Sequence, residues 1–310
     1  MLDLEPLSPH RGYLLALSGG RDSVCLLHAL VEKGFQNLHL VHLNHQLRGQ
    51  ESEGDAHFVK ELAQQLKLPL TSESAAIAEL ATQSGESLET AARHARHQLF
   101  AKVARATGYP RVLLAHHAED QAETCLFNLL RGSSGIKGMA PESTLTVGTE
   151  TLTLLRPLLR TRRTEIDAYL HKHQLPFRED LSNQENIYTR NRLRNEALPL
   201  LENILQRDIV PALNRAAEAT RENELIIDEY LDALSLQDPQ GRLFLPKLRT
   251  LSPQLQRACL KAYLTQHRVE KISQRLLDDA IALIPAEGPP RLNLPGGVFL
   301  RRKEGRIFLA

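Results

Sequence analysis

At 310 residues and 34.8 kDa the chain is longer than one hydrophobic core ordinarily serves, so two domains are expected. Its 42% hydrophobic and 24% charged residues are ordinary for a globular protein; no apolar run nears the roughly 18 residues of a membrane span, and Met1–His10 carries acids and prolines instead of a secretory leader, so a cytoplasmic protein without membrane contact is expected. A net charge of +1 excludes bulk attraction to nucleic acid and leaves only local patches, while three isolated cysteines, Cys25, Cys125 and Cys259, support neither a disulfide framework nor a sequence-local zinc or iron–sulfur site.

The first half alternates strand-length apolar runs with longer helical periods, which predicts βαβ units around a parallel sheet. Tyr13–Leu17 reads as a buried strand, followed by a helix whose inner face carries Val24, Leu27, Leu30 and Val31. Leu38–Leu43 is a second strand, Glu51–Lys67 an amphipathic helix with Phe58, Leu62 and Leu66 spaced at four, and Leu68–Ser72 a weak third strand. Ser87–Thr107 is a helix stopped by Gly108, Arg111–Ala115 a strand, and Glu119–Leu130 a helix ending before Gly132. Gly132–Glu150, rich in Gly, Ser and Thr and without a period, is expected to be an irregular loop near the active site. From Leu154 to about Leu234 the pattern is mainly helical, with a boundary near Pro211. The tail from Gly241 holds two helical segments and strand-like runs at Arg291–Leu294, Val298–Arg301 and Arg306–Leu309. The expected architecture is therefore α/β, with a parallel-sheet domain over residues 1–210 that ends in a helical, basic portion, and a small α+β domain over residues 211–310.

Ser18-Gly19-Gly20-Arg21-Asp22-Ser23 falls directly between the first strand and the first helix. Two glycines allow close approach of backbone to an anion, the helix start aims N–H groups at it, and the serines add hydroxyls, so the segment reads as a phosphate cradle. It is neither a Walker A loop nor a dinucleotide fingerprint, because the lysine and the glycine spacing are absent. Asp22 beside a phosphate calls for a bridging divalent cation; a bare tight turn with Asp22 as a capping residue is the bland alternative.

His116-His117-Ala118-Glu119-Asp120-Gln121-Ala122-Glu123-Thr124 begins at a strand's C-terminal end, where open parallel sheets bind ligands, and passes into a helix. Asp120 and Glu123, three apart, share a face with reach to His116, a cluster suited to metal binding or proton transfer. The alternative is a strand end and a helix start that happens to favour acids; a zinc site lacks a third ligand at customary spacing. Between Leu154 and Asn195 nine bases (Arg156, Arg160, Arg162, Arg163, Lys172, Arg178, Arg190, Arg192 and Arg194) face five acids (Glu165, Asp167, Glu179, Asp180 and Glu185), a net of +4 that leaves −3 for the rest. Taken alone such a run is a solvated helical face, and Leu193, Leu198 and Leu200 within and after it are expected in the core.

The Ser-Gly-Gly-x-Asp-Ser loop resembles that of the PP-loop superfamily, and further stretches resemble its lysidine synthase branch. These are His42-Leu43-Asn44-His45 with Leu47-Arg48-Gly49; Glu89 through Ala91-Ala92-Arg93 to Arg96; the His116–Thr124 block; Arg131-Gly132-Ser133; then Arg156-Pro157-Leu158-Leu159, Asp180-Leu181-Ser182-Asn183, Arg190-Asn191-Arg192-Leu193-Arg194 and Pro199-Leu200-Leu201. The likeness covers about residues 11–203. Two positions depart from the branch pattern: Glu119-Asp120 stands where two aspartates are common, and His97 where tyrosine is common. The resemblance implies ATP and Mg²⁺ bound at Ser18, Gly19, Gly20, Arg21, Asp22 and Ser23, with Asp22 and Asp120 on the metal, adenylation of the wobble cytidine of an isoleucine tRNA with a CAU anticodon, and attack by free L-lysine. It assigns Arg93, Arg96 and His116 to phosphate charge or base orientation, Glu123 to the lysine amine, and Arg190, Arg192 and Arg194 to the tRNA. Rival readings are a PP-loop tRNA thiolase, which the isolated cysteines oppose, a small-molecule adenylating synthetase, and a nucleotide sensor without catalysis.

Overall fold

A computed structural model describes residues 4, 7–47, 49–178 and 189–310. Arg48, Glu179, Glu185 and the Asp180–Asn183 stretch lie outside the described residues. Two compact units are present, residues 1–218 and 219–310.

In the first unit the apolar run β1 (Tyr13–Ala16) alternates its side chains between two covered faces, which is why it reads as continuously apolar. It pairs in parallel with β2 (Leu38–Asn44) on one side and β4 (Arg111–Leu113) on the other. Parallel pairing continues to β3 (Leu70–Ser74) and β6 (Glu150–Leu155), and β5 (Glu142–Val147) closes the edge antiparallel, giving the order β3-β2-β1-β4-β6-β5. One face is covered by α1 (Arg21–Glu32), α2 (Gln50–Gln65) and α6 (Arg163–Lys172), which bury Leu15, Leu17, Val24, Leu27, Val59 and Ile166 together. On the other, α4 (Leu88–Thr107) sets Leu99, Phe100 and Val103 against Leu14, Val41 and Val112. The parallel order reverses its direction of growth between β1 and β4, and the loops leaving those strands open the crevice where ligands of such sheets bind.

Elements in the first unit match the sequence expectations within about two residues, with physical reasons for the exceptions. β3 starts at Leu70 because Lys67, at φ +53°, turns the chain out of α2 first. The Gly132–Glu150 segment is not wholly irregular and the chain is not yet helical at Leu154: two unforecast strands, Glu142–Val147 and β6 (Glu150–Leu155), pair through a turn at Gly148 (φ +58°). The buried side of β5 offers only Ser143, Leu145 and Val147, too few apolar residues to announce a strand. The short helix α3 (Ile77–Ser84) had no sequence forecast; it hangs on Ile77 and Ala81, which pack with Ala91. Val31, expected inside, is 36% exposed, and Leu200, expected in the core with the buried Leu193 and Leu198, is 58% exposed.

Beyond α5 (Ala118–Leu130) and α6 the first unit adds α7 (Thr189–Arg192), a π-helical turn at Leu193–Ala197 and α8 (Leu198–Leu205). Then α9 (Val210–Ala233) crosses the division, with Pro211 in its first turn, where a missing N–H is no loss. The second unit packs α10 (Leu245–Arg249), α11 (Pro253–Gln266) and α12 (Gln274–Ile281) on a four-stranded antiparallel sheet. Its strands β7 (Leu243–Phe244), β8 (Arg291–Asn293), β9 (Phe299–Lys303) and β10 (Arg306–Leu309) run in the order β7-β10-β9-β8. Leu260, Leu264, Leu277, Leu283, Leu300 and Ile307 form its core. Among the described residues no helix is long and apolar enough to cross a membrane.

Candidate active site

The Ser18–Ser23 loop leaves β1 and enters α1 as the sequence predicts. Gly19 adopts φ +85°, and a Cβ there would stand 3.3 Å from both Phe58 and Val59, so the backbone needs glycine on both counts. Its carbonyl accepts from the Arg178 amide at 3.0 Å, and Arg178 Nε bonds Asp55 at 3.0 Å, pinning the loop from behind. The serine hydroxyls are turned inward: Ser18 Oγ accepts from the Gly20 amide at 3.2 Å and lies 3.1 Å from Ser23 Oγ, which donates to the Gly20 carbonyl at 2.9 Å. The first intrahelical bond of α1 is Val24 to Gly20, which leaves the amides of Arg21, Asp22 and Ser23 as the free start of the helix. The Arg21 side chain turns away, 3.1 Å from Asp167 and over the Phe177 ring. Only its backbone is left for an anion in the loop.

Asp22 aims across the crevice at the start of α5. Its Oδ1 is buried without a hydrogen-bond partner among the described residues, and its Oδ2 is 3.8 Å from His117 Nε2. Burial raises its pKa and Asp120 adds to the rise, against the pull of His117 and Arg21.

His117, buried, is the hub of the facing side. Its amide donates to Asp120 Oδ2 at 3.0 Å, so the two form the reciprocal cap of α5. Its Nδ1 lies 3.0 Å from Glu119 Oε2 and 3.2 Å from the Glu119 amide: protonated, it donates to the carboxylate, and deprotonated there, it caps the helix. Burial alone would lower its pKa, but the bond to Glu119 and the charges of Asp120 and Asp22 reverse the sign and raise it. Glu119 is held opposite: burial would raise its carboxyl, yet bonds from His117, Arg162 (2.7 Å) and the Arg163 amide (3.0 Å) carry it down to about 2. The glutamate at this position thus reaches Arg162 and Arg163 at the start of α6.

One turn on, Arg194 gathers the other two acids. It pairs with Asp120 Oδ1 and with Glu123, at 2.9 Å from Nε and 2.8 Å from the guanidinium NH2. Arg190 reaches Glu89 at 2.9 Å and lies over Phe127, with Glu123 at 4.0 Å. Glu123 is 5% exposed; burial raises its pKa while Arg194 and Arg190 oppose the rise. Arg192 points elsewhere, paired with Glu196 on an exposed turn.

His116 completes the crevice with a buried, unpartnered Nδ1 among the described residues. Its pKa falls to about 4, through burial first and then the charges of Arg156, Arg96 and His117, with Asp120 pulling the other way. It is therefore a neutral ring at physiological pH. Arg93 and Arg96, exposed on α4, act with burial to bring His97 to about 4 as well. His42 donates from Nδ1 to the Leu17 carbonyl at 2.8 Å, binding the end of β2 to the start of the phosphate loop. Sequence reasoning did not single out His117, Arg156 or Arg162 as site residues. The signal for His117 was present, since it immediately precedes a helix that starts with two acids.

Residues 2–201 match the family described as PP-loop domain, and residues 229–308 match the TilS substrate binding domain. Among curated proteins the chain is 33% identical to the tRNA(Ile)-lysidine synthase of Chlorobaculum tepidum, over 77% of this chain and 73% of that protein. The chain belongs to the tRNA(Ile)-lysidine synthase family. It is also 37% identical to the tRNA(Ile)-lysidine synthase of Thermus thermophilus over 98% of its own length, and spans 57% of that relative's length. Among solved structures the U34-tRNA thiolase NcsA of Methanococcus maripaludis shares the PP-loop fold, with a TM-score of 0.56 and 16% identity over 71% of this chain and 76% of that one.

Proposed function

We propose that this chain is an ATP-dependent ligase that adenylates the C2 oxygen of the wobble cytidine in an isoleucine tRNA with a CAU anticodon and joins free L-lysine to C2. Family membership supports the reading, and the observation that carries it is the placement of Asp22. At the free start of α1 Asp22 keeps one carboxylate oxygen unpartnered among the described residues, and its other oxygen lies 3.8 Å from the same His117 Nε2 that Asp120 approaches to 3.5 Å. That set suits a magnesium ion, which takes one or two carboxylates and fills its remaining positions with phosphate oxygens and water. Bound there, Mg²⁺ would neutralise charge on the triphosphate.

The free amides of Arg21, Asp22 and Ser23, with the glycine backbone, would hold the pyrophosphate part of ATP. The cytidine oxygen then attacks the α-phosphate and pyrophosphate leaves; the lysine amine attacks C2 and expels AMP. Phosphorylation is what turns the C2 oxygen into a leaving group. Arg96, whose charge is felt at His116, and Arg93 one turn before it on α4 serve the developing phosphate charge, while neutral His116 is suited to orienting the base. Glu123, with a raised pKa, is suited to accepting a proton from the lysine ammonium. The target base must be unstacked, which favours an anticodon loop. The methionine tRNAs share the CAU anticodon, so discrimination needs contacts elsewhere, at roughly 1–3 kcal/mol per good base contact, and we assign them to the domain from residue 211 onward. A tRNA substrate places the work in the cytoplasm.

The thiolase reading loses ground to the cysteines. All three are buried and free, and burial lifts Cys25 to about 12 and Cys125 and Cys259 to about 11, leaving no thiolate to carry sulfur. The decisive experiment is radiolabelled lysine incorporation into unmodified isoleucine tRNA with a CAU anticodon, with ATP, Mg²⁺ and a methionine tRNA control. Label in the isoleucine tRNA alone is expected; pyrophosphate release without label would refute the lysine step.

A further inference from the structure

The outer face of the four-stranded sheet carries a pattern that no single stretch of sequence displays. Arg301 and Lys303 project from β9 on the side opposite the buried Leu300. The ladder sets Arg291 directly across from Arg301, and Arg306 directly across from Lys303. Like charges facing each other across a ladder repel, so two such pairs on one face are a standing electrostatic penalty. Residues 291–310 hold five bases against a single acid, Glu304.

Phenylalanines interleave with these charges. Arg291 and Arg301 both lie over the Phe299 ring, at 5.5 and 5.7 Å, Arg306 lies 4.4 Å from the Phe244 centroid, and Phe308 stands opposite Arg301. Three of the chain's eight phenylalanines are on this face. The charges are not equally free. Arg306 bonds Asp238 at 2.9 Å and Lys303 lies 3.4 Å from Glu304, whereas Arg291 and Arg301 are exposed and have no ion-pair partner among the described residues. A guanidinium laid on a ring keeps its N–H edge outward in a fixed fork, the geometry that grips a phosphate with two bonds.

We propose that this face is an RNA backbone anchor, in which Arg291 and Arg301, both set over the Phe299 ring, grip phosphates of the tRNA. The inference rests on the reading above that tRNA is the substrate, and adds where and how it is held. Phosphate contacts position an RNA without reading its sequence. The anchor therefore serves isoleucine and methionine tRNAs alike and leaves the choice between them to other contacts.

The test is the salt dependence of tRNA binding by the full chain, with unmodified isoleucine and methionine tRNA transcripts. Each lost phosphate contact removes roughly 0.7–0.9 from the slope of log K against log salt, so Arg291→Gln with Arg301→Gln should flatten it by about 1.4–1.8 for both tRNAs. The wild type's advantage should then shrink roughly tenfold between about 50 and about 200 mM salt. Arg291→Lys with Arg301→Lys should keep the slope, and Arg301→Gln alone should remove about half of the change, which serves if the double variant melts early. An unchanged slope in a normally folded glutamine variant overturns the anchor, as does a loss confined to one tRNA. Lysine incorporation by the wild type is read in parallel. A wild type that makes lysidine while the glutamine variant's slope stays unchanged sinks the anchor alone. A wild type that joins no lysine, but whose slope the variant flattens, sinks the lysidine reading and leaves the anchor.

Discussion

Replacing Arg194 with methionine tests the electrostatic construction of the crevice, because it removes the cation that, among the described residues, joins Asp120 to Glu123 while keeping an apolar stem of similar length. Glu123 is 5% exposed, so its charge would be left buried with Arg190 4.0 Å away as the nearest paired cation. Breaking a fully buried pair costs about 3–5 kcal/mol; with the Arg194 side chain 31% exposed and partly screened, about 2–3 kcal/mol is expected here. The loss must depend on pH. Glu123 already has a folded pKa above its ordinary 4.5, because burial outweighs Arg194 and Arg190. Such a carboxyl binds more protons folded than unfolded between the two values, so it costs stability as pH climbs through that window and nothing below it. Removing Arg194 pushes the folded pKa further up and widens the window. Urea unfolding of metal-free, nucleotide-free protein at about pH 5 and about pH 8 reads this directly, with the larger deficit at the higher pH. Adding Glu123→Gln should restore most of it. A deficit equal at both pH values, or none, would refute the claim that Arg194 stabilises a buried carboxylate.

Asp22→Asn should abolish pyrophosphate release while leaving the fold intact, and full activity in that variant would remove Asp22 from any metal role. His117→Asn keeps a good helix-capping side chain but cannot titrate. The folded pKa of His117 is raised above 6.5, so its contribution is complete below that pH and fades as pH rises through the folded value. Urea midpoints of wild type should therefore fall across this range more steeply than those of the variant, and parallel profiles would contradict the ion cluster around His117. Finally, the native protein should resist iodoacetamide at neutral pH, since all three thiols are buried with pKa values of about 11 or 12; prompt labelling of Cys25 would show that α1 opens.

The sheet and the phosphate loop were legible because their signals are local. An apolar run flanked by Gly-Gly and followed by a helical period specifies a strand, a turn and a helix start without reference to anything distant. The β5–β6 hairpin was not, since two apolar residues on its buried side and a Gly-Thr turn carry too little contrast against a polar loop. His116, Asp120 and Glu123 were readable as a cluster from their spacing, but their protonation was not. That His116 is neutral follows first from burial and then from Arg156 and Arg96, and that Glu119 is strongly acidic follows from its bonds to His117, Arg162 and the Arg163 amide; the fold brings the burial and the arginines from other elements.

The basic run between Leu154 and Asn195 shows why a count of charges cannot locate an RNA surface. Arg162 is committed to Glu119 and Asp208, Arg178 to Asp55, Arg160 to Glu218, Arg190 to Glu89 and Glu123, and Arg194 to Asp120 and Glu123. The net of +4 in that run is thus set largely against acids supplied by other segments, and Arg194 belongs to the crevice before it belongs to any RNA contact. Arg192, paired among the described residues with Glu196 across one exposed helical turn, keeps more of its charge for solvent. The reverse holds at the other end of the chain. Arg291 and Arg301 are ten residues apart in a stretch that reads as ordinary short strands, and it is the antiparallel register that places them face to face, without an acid, over one aromatic ring. Both runs carry a net of +4 in the sequence; folding sets the arginines of the first largely against acids, whereas in the tail the ladder sets two arginines face to face, and a polyanion such as RNA would respond to the second arrangement.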